Sequence, residues 1–224
     1  MEIFFHHKAS PFVRKIFLAL SELGITPVER PVDISSGAAM EEYGQLNPNR
    51  RFPALRDGSL VLWESNAILR YLATQHGPCW LGTTTAEVAQ VDQWLCWELA
   101  HLGPALFGVQ NLRLGFLPRP PRDEAALLAD KDRLLTLLDR ALDGRVHLVG
   151  EAMTIADLAV AAAFTFAQEA ELLTPSHPHV CRWLDSIRMR PSWQATERMK
   201  RETLASFGIT LPQGKAPSSA APSG

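Results

Sequence analysis

Apolar residues near the start of the chain form one short run and then recur at helical spacing. The run at residues 2–5 predicts a strand. Ser10-Pro11 then supplies an N-cap hydroxyl and a first-turn proline, and Gly24 stands where a helix would end. Between these signals, apolar residues lie at helical spacing: Val13, Ile16, Phe17, Leu20 and Leu23. We therefore predict a strand followed by a helix over residues 10–23.

The next patterns predict a second strand, a hairpin and another helix. Residues 28–32 look like a strand, whereas the polar segment 35–43 is compatible with either an irregular loop or a short helix. Two apolar runs, 52–55 and 60–63, flank an Asp-Gly pair that is typical of a β-hairpin. Residues 65–74 have one apolar face and predict a helix. The first part of the chain therefore has the order β-α-β, then hairpin, then helix.

Strand signals disappear after residue 85, and only helical patterns follow. They lie at residues 87–102, 123–142, 155–171 and 179–189. The last residues lack large apolar side chains and predict a loose tail. We therefore expect an α/β domain at 1–77, a linker at 78–86, an all-helical domain at 87–208 and a flexible tail at 209–224.

Charge and cysteine usage exclude several classes of protein. The formal net charge is −2 and the basic residues are spread along the chain, so we expect no nucleic-acid partner. No long apolar stretch or secretion signal is evident, which predicts neither a membrane span nor export. Three distant cysteines without a C-x-x-C motif favour the reducing cytoplasm and no metal site. His6 and His7 would point to opposite faces of a strand, which argues against a metal pair.

Ser10 lies at the start of the first predicted helix. Free N–H groups and the helix dipole favour an anion at that position. If the anion is a thiolate, the Ser10 hydroxyl can donate to it and lower its pKa. The alternative is that Ser10 only caps its helix, which is common for Ser-Pro pairs.

Two further segments offer binding groups at strand ends. Phe52-Pro53 enters the hairpin, and a cis bond there would present the Phe52 backbone to an extended peptide, although the sequence leaves cis and trans open. Glu64-Ser65 joins a strand to a helix. A carboxylate beside free helical N–H groups can bind the ammonium and carboxylate of an α-amino acid. The alternative for this pair is simple capping.

Taken together, these segments resemble the cytosolic glutathione transferase family, most nearly bacterial-type members with Ser-Pro-Phe at the thiol site. The resemblance covers residues 1 to about 205 and includes residues 10–15, 46–55 and 62–72. In the helical half, Thr154-Ile155-Ala156-Asp157 resembles the family's capping box, in which Asp157 reaches back to Thr154. The resemblance implies a thioredoxin-like βαβαββα domain followed by an all-helical domain.

The resemblance also implies roles for individual residues in glutathione binding. The Phe52 backbone would pair with the cysteinyl part before a cis Pro53, and Glu64 with Ser65 would hold the γ-glutamyl end. Arg50 or Arg51 is the candidate for the glycyl carboxylate.

Family members hold the thiol with Tyr, Ser or Cys, and near the first strand-helix junction only Ser10 is available. Many serine-type members place the hydroxyl one residue earlier, where this chain has Ala9. His7, Lys8 or backbone N–H groups therefore remain alternatives for the thiol.

The implied function is conjugation of glutathione to a small electrophile, with glutathione as co-substrate and no cofactor. The candidates for the second-substrate surface are Phe12, His101, Leu106, Phe107, Asn111 and Phe116, each of which is alternatively a core or dimer residue. The resemblance also implies a homodimer. The rival functions are a non-catalytic adaptor or stress regulator with this fold, and a glutathione-dependent peroxidase.

Overall fold

The computed structural model describes residues 1–116, 123–173 and 175–212. Its first part has the predicted βαβαββα order. The elements are β1 (Glu2–Phe5), α1 (Pro11–Glu22), β2 (Val28–Pro31), α2 (Gly37–Leu46), β3 (Ala54–Asp57), β4 (Leu60–Trp63) and α3 (Ser65–His76). The segment that the sequence left open is therefore helix α2, and its N-cap residue Ser36 accepts a hydrogen bond from the Ala39 N–H at 3.3 Å.

The four strands form one mixed sheet in the order β2-β1-β3-β4. Strand β1 runs parallel to β2 and antiparallel to β3, and β3 runs antiparallel to β4. Ala54 pairs with Phe4 on one side and with Trp63 on the other. The end of β1, the start of β3 and the end of β4 therefore meet at one edge of the sheet.

The first strand of the hairpin begins and ends two residues later than predicted. Arg56 and Asp57 belong to β3, so the turn contains only Gly58 and Ser59. Gly58 adopts φ +59°, a left-handed conformation that glycine adopts without steric cost. At the other end, Phe52 and Pro53 precede the strand, because proline has no N–H to donate to a ladder.

The second part is helical. A short 3₁₀ turn (Pro78–Leu81) leads into α4 (Thr85–Trp97), a π-helical turn (Glu98–Leu102), α5 (Gly103–Leu114), α6 (Glu124–Ala141), α7 (Ile155–Ala162), α8 (Pro178–Arg188) and α9 (Pro191–Ser206). The sequence did not predict α5 or α9. Residues 213–224 of the predicted tail lie outside the described residues. Among the described helices, none combines the length and apolar character needed to cross a bilayer.

Helix α7 is shorter than the predicted helix over 155–171, because side chains donate hydrogen bonds to the carbonyl oxygens at and after its end. Thr165 Oγ1 donates to the Ala162 carbonyl at 2.6 Å, and Gln110 Nε2 donates to the Ala163 carbonyl at 2.8 Å. Lys200 Nζ donates to the Thr165 carbonyl at 3.0 Å. Such bonds compete with the helical ladder. The chain therefore continues in successive turns instead of a regular helix.

Helix α1 packs against α3 in the first part and against α7 and α9 in the second. Arg14 and Lys15 are both buried, and each meets a carboxylate of the helical part. Arg14 Nη2 lies 2.8 Å from Glu197 Oε2, and Lys15 Nζ lies 2.7 Å from Glu98 Oε2. Burial lowers the pKa of the Lys15 ammonium, whereas the Glu98 carboxylate opposes that shift. These ion pairs hold the two parts of the chain together.

Asp157 organises the middle of the helical part. Its carboxylate accepts a hydrogen bond from the Thr154 N–H at 3.0 Å, so the backward reach expected of the capping box is confirmed. The same carboxylate accepts from the Leu148 N–H at 3.0 Å and from Trp183 Nε1–H at 2.9 Å. Asp157 is completely buried. One side chain therefore joins a loop, the start of α7 and helix α8.

Candidate functional site

The three predicted binding segments lie at the sheet edge where β1 and β4 end and β3 begins. Helices α1 and α3 also begin at this edge, because each directly follows one of those strands. The edge therefore gathers two helix N-termini and the loop that leads into Pro53. This arrangement favours negatively charged groups and an extended peptide.

The Ser10 hydroxyl is unused by the fold. Ser10 has extended backbone angles, φ −64° and ψ 130°, directly before Pro11 at the start of α1. Its side chain makes no capping hydrogen bond to α1 and none to any other described residue. Capping therefore does not occupy this hydroxyl, which lines the cavity described below.

The loop before Pro53 is fixed by contacts with Tyr43 and Asn47 at the end of helix α2. Tyr43 Oη and Asn47 Nδ2 each donate to the Arg51 carbonyl at 2.6 Å, and the Tyr43 ring stacks on Phe52 with centroids 4.3 Å apart. Burial raises the pKa of Tyr43 to about 12, so its hydroxyl remains a donor. The Phe52–Pro53 peptide bond is cis. Within the described stretches, the Phe52 N–H and C=O have no hydrogen-bond partner and are available to a ligand.

Glu64 adopts an uncommon backbone conformation for a residue with a side chain, φ 71° and ψ 113°. Such conformations persist where the surrounding structure fixes them, often at binding sites. The exposed Glu64 carboxylate makes no hydrogen bond to a described residue and does not cap α3. The next residue, Ser65, is buried as the first residue of that helix. The pair therefore places an unpaired carboxylate beside a helix N-terminus.

The two arginine candidates differ in their partners. Arg50 Nη2 lies 2.6 Å from Glu41 Oε2, so its guanidinium is already paired. Arg51 is exposed, and its guanidinium has no partner in the described part of the chain. Of the two, Arg51 is the better placed to bind a carboxylate.

A cavity of about 280 Å³ opens beside Ser10, between the two parts of the chain. Most of its wall is apolar. The lining residues are His7, Ala9, Ser10, Pro11, Phe12, Phe107, Phe116, Phe166, Leu204, Phe207 and Ile209. Phe12, Phe107 and Phe116 from the predicted second-substrate surface are thus brought together. Leu106 and Asn111 are instead buried in the helical part.

His101 does not join this group. It is exposed on the π-helical turn and is not among the residues that line the cavity. A π turn inserts an extra residue into the helical repeat, so side chains after it no longer follow the α-helical phase. The prediction assumed an uninterrupted helix over 87–102 and therefore misplaced His101.

The sequence did not predict the part of the cavity wall that is formed by Phe166 and by residues in and after α9. Phe166 follows α7, Leu204 lies on α9, and Phe207 and Ile209 come directly after α9. Ile209 is anchored by a hydrogen bond from its N–H to the Leu204 carbonyl at 2.9 Å. The available signal was that large apolar residues, including Leu204, Phe207 and Ile209, follow the last predicted helix.

The other candidates for the thiol have different surroundings. Lys8 Nζ lies 2.6 Å from Glu29 Oε2 and 5.0 Å from the centre of the Phe17 ring, so the fold already uses its charge. His7 lines the cavity. The expectation that His6 and His7 point to opposite faces was wrong, because β1 ends at Phe5 and the two rings lie 4.8 Å apart. Among the described residues, no group of three possible ligands is arranged to hold a metal.

Comparison with known proteins agrees with this architecture. Residues 9–75 match the family model of the glutathione S-transferase N-terminal domain, and residues 107–191 match that of the C-terminal domain. Glutathione S-transferase GstB of Escherichia coli (strain K12) is 33% identical over 194 residues, covering 80% of this chain and 89% of its own. Glutathione S-transferase 3 of Zea mays is 33% identical over 202 residues, covering 84% and 89%.

Solved structures give the same result. The theta class glutathione S-transferase of Xanthomonas axonopodis pv. citri, crystallised with glutathione bound, has a TM-score of 0.74 and 30% identity, covering 87% of this chain and 95% of its own. Glutathione transferase F2 of Populus trichocarpa has a TM-score of 0.78 and 26% identity, covering 90% and 99%. With its thioredoxin-like sheet, helical second part and these relatives, the chain belongs to the glutathione S-transferase family.

Proposed function

We propose that this chain binds glutathione at the sheet edge and conjugates it to an electrophile in the adjoining cavity. The main support is that the groups expected to contact glutathione have no hydrogen-bond partner among the described residues: the Ser10 hydroxyl, the Phe52 backbone, the Glu64 carboxylate and the Arg51 guanidinium. Unsatisfied polar groups gathered at one edge are typical of a ligand site, because the fold itself leaves them unpaired.

Each of these protein groups has a counterpart in glutathione, and the counterparts follow one another along the tripeptide. Its glycyl carboxylate would meet Arg51, its cysteinyl backbone would pair with Phe52, and its γ-glutamyl ammonium would meet Glu64. The sulfur would then lie at the start of α1, near the Ser10 hydroxyl. A hydroxyl donor and a helix N-terminus both favour the thiolate over the thiol. The thiol proton passes to solvent, and the sulfur forms a bond to the electrophilic carbon as that carbon releases a leaving group or gives up a π bond.

The first test is glutathione binding by the Glu64→Gln variant. The substitution keeps the size of the side chain but removes the charge that would pair with the ammonium. Charge-assisted hydrogen bonds contribute about 1.5–3 kcal/mol, so we expect the Kd measured by titration calorimetry to rise at least about tenfold.

The matched control is Glu42→Gln, which neutralises an exposed carboxylate on α2 and should bind as the wild type does. Equal affinities for wild type and Glu64→Gln would contradict the proposed orientation of glutathione. Tight binding of glutathione by the wild type without conjugation of any electrophile would favour the adaptor instead.

We also propose that the chain forms a homodimer. Strand β4 is one of the two outer strands of the sheet, and its Leu60 and Trp63 side chains are 39% and 42% exposed. Unprotected edge strands with apolar side chains tend to be covered by another chain. Sedimentation at micromolar concentration should give twice the chain mass of 24.8 kDa. A monomer throughout that range would contradict this proposal.

A further inference from the structure

His7 is the one titratable side chain among the described residues that line the cavity. Apart from Ser10, the other lining side chains are apolar, and five of them are phenylalanines. An imidazole in such a wall is exposed to any ligand that fills the cavity. It is therefore the obvious polar contact for the electrophile.

The fold does not use the His7 imidazole for hydrogen bonding. No described residue donates to it or accepts from it, and its Nδ1 atom is buried without a partner. The Phe207 ring meets it edge-on at 6.0 Å, and the His6 ring does so at 4.8 Å, so the imidazole is held between aromatic groups. Burial lowers the pKa of His7, and the neighbouring His6 lowers it further. Both effects favour the neutral imidazole, which has one N–H donor and one acceptor nitrogen.

From this placement we infer that His7 is a catalytic residue that contacts the electrophile and donates a hydrogen bond to the carbonyl oxygen of an α,β-unsaturated aldehyde or ketone. The inference rests on the proposed function, since it requires glutathione at Ser10. The β-carbon and the carbonyl oxygen are the two ends of a conjugated four-atom unit. A substrate whose β-carbon meets the sulfur near Ser10 therefore presents its oxygen to another part of the same cavity wall.

The step is an addition and needs no further reactant. The thiolate sulfur bonds to the β-carbon, the electron pair of the C=C bond moves toward the carbonyl, and negative charge develops on the oxygen. Because Nδ1 is buried, it is the Nε2–H of His7 that donates to that oxygen, without transferring its proton. Water then protonates the α-carbon and the carbonyl re-forms, so the net reaction adds the thiol across the double bond. A fixed donor in an apolar wall stabilises developing charge strongly, because it replaces mobile solvent.

The test compares two electrophiles of similar apolar size at saturating glutathione. Benzylideneacetone is an enone that develops charge on oxygen, whereas benzyl bromide releases bromide and has no carbonyl. His7→Phe keeps an aromatic ring without the donor, and His7→Gln keeps an N–H donor. His76→Gln serves as the matched control, because His76 is exposed at the end of α3 and does not line the cavity.

We expect His7→Phe to lower kcat/KM for benzylideneacetone at least about tenfold and to leave that for benzyl bromide within about twofold. His7→Gln should retain more enone activity than His7→Phe, and His76→Gln should change neither reaction. The pH at which the benzyl bromide rate reaches half its maximum should stay constant, since the thiol is unaffected. If His7→Phe does not fold, as judged by circular dichroism, His7→Leu, which also lacks the donor, takes its place in the comparison.

Three outcomes would overturn the inference. Equal losses for both electrophiles, with the pH profile moved upward, would assign His7 to the thiol instead. An unchanged enone rate in both His7 variants would leave it without a role in catalysis. A wild-type chain that conjugates benzyl bromide but not benzylideneacetone would overturn the inference and leave the proposed function intact, whereas no conjugation of either would overturn both.

Discussion

Replacing Ser10 with alanine should lower kcat/KM for benzyl bromide about 10- to 100-fold at pH 7. A hydrogen bond to a charged group contributes about 1.5–3 kcal/mol, and each 1.36 kcal/mol corresponds to a tenfold change in rate. Without the hydroxyl, the pKa of the bound thiol should rise by about one to two units. Stopped-flow or steady-state kinetics over a range of pH measures both effects.

The same variant separates catalysis from helix capping. The Ser10 side chain makes no capping hydrogen bond, so Ser10→Ala should leave the melting temperature nearly unchanged. Ser21→Ala changes an exposed serine near the other end of α1 and is the control for both readouts. If Ser10→Ala lowers stability by about 1 kcal/mol and leaves the rate unchanged, Ser10 is a cap and the thiol is activated by other groups.

Replacing Asp157 with alanine should have the largest effect on stability. The change leaves the Thr154 N–H, the Leu148 N–H and the Trp183 indole N–H without their acceptor in a fully buried position. Each unsatisfied buried donor costs about 1–3 kcal/mol, so we expect a loss of roughly 3–5 kcal/mol in the free energy of unfolding. Urea denaturation followed by tryptophan fluorescence and circular dichroism measures it.

Two further variants make this prediction specific. Asp157→Asn keeps one oxygen acceptor and the shape of the side chain, so its loss should be smaller than that of the alanine variant. Asp185→Asn changes an exposed carboxylate on α8, whose partner is Arg188, and should alter stability by less than about 0.5 kcal/mol. Losses of similar size in Asp157→Ala and Asp185→Asn would mean that the buried network does not stabilise the helical part.

Both strand-helix junctions can be predicted from the sequence because their signals are local. Ser10-Pro11 stands immediately before an amphipathic helix, and Glu64-Ser65 stands between an apolar strand and another such helix. In each case the backbone of the next few residues determines the conformation. By contrast, the ionic or hydrogen-bond partner of a side chain can lie elsewhere in the sequence. The sequence therefore left Arg50 and Arg51 equivalent, and only the contact between Arg50 and Glu41 separates them.

The far wall of the cavity cannot be predicted in the same way. Leu204 lies on α9, which the sequence did not predict, and periodicity does not reveal which distant element covers a buried side chain. Phe166 meets the cavity because hydrogen bonds from Gln110 and Lys200 end the regular helix before it. Those contacts join residues far apart in the chain, and no short-range pattern encodes them.

The position of α1 limits how such a chain can diversify by recombination. Beyond the ion pairs of Arg14 and Lys15, the Glu22 carboxylate near the end of α1 receives two hydrogen bonds of 2.6 Å from the Arg190 guanidinium. Three charges on one helix of the first part are thus matched by three on the second. A first part joined to a foreign helical part would bury cations without counter-ions, which is costly. A foreign helical part would therefore have to supply the same three partners at the same places to pack against this α1.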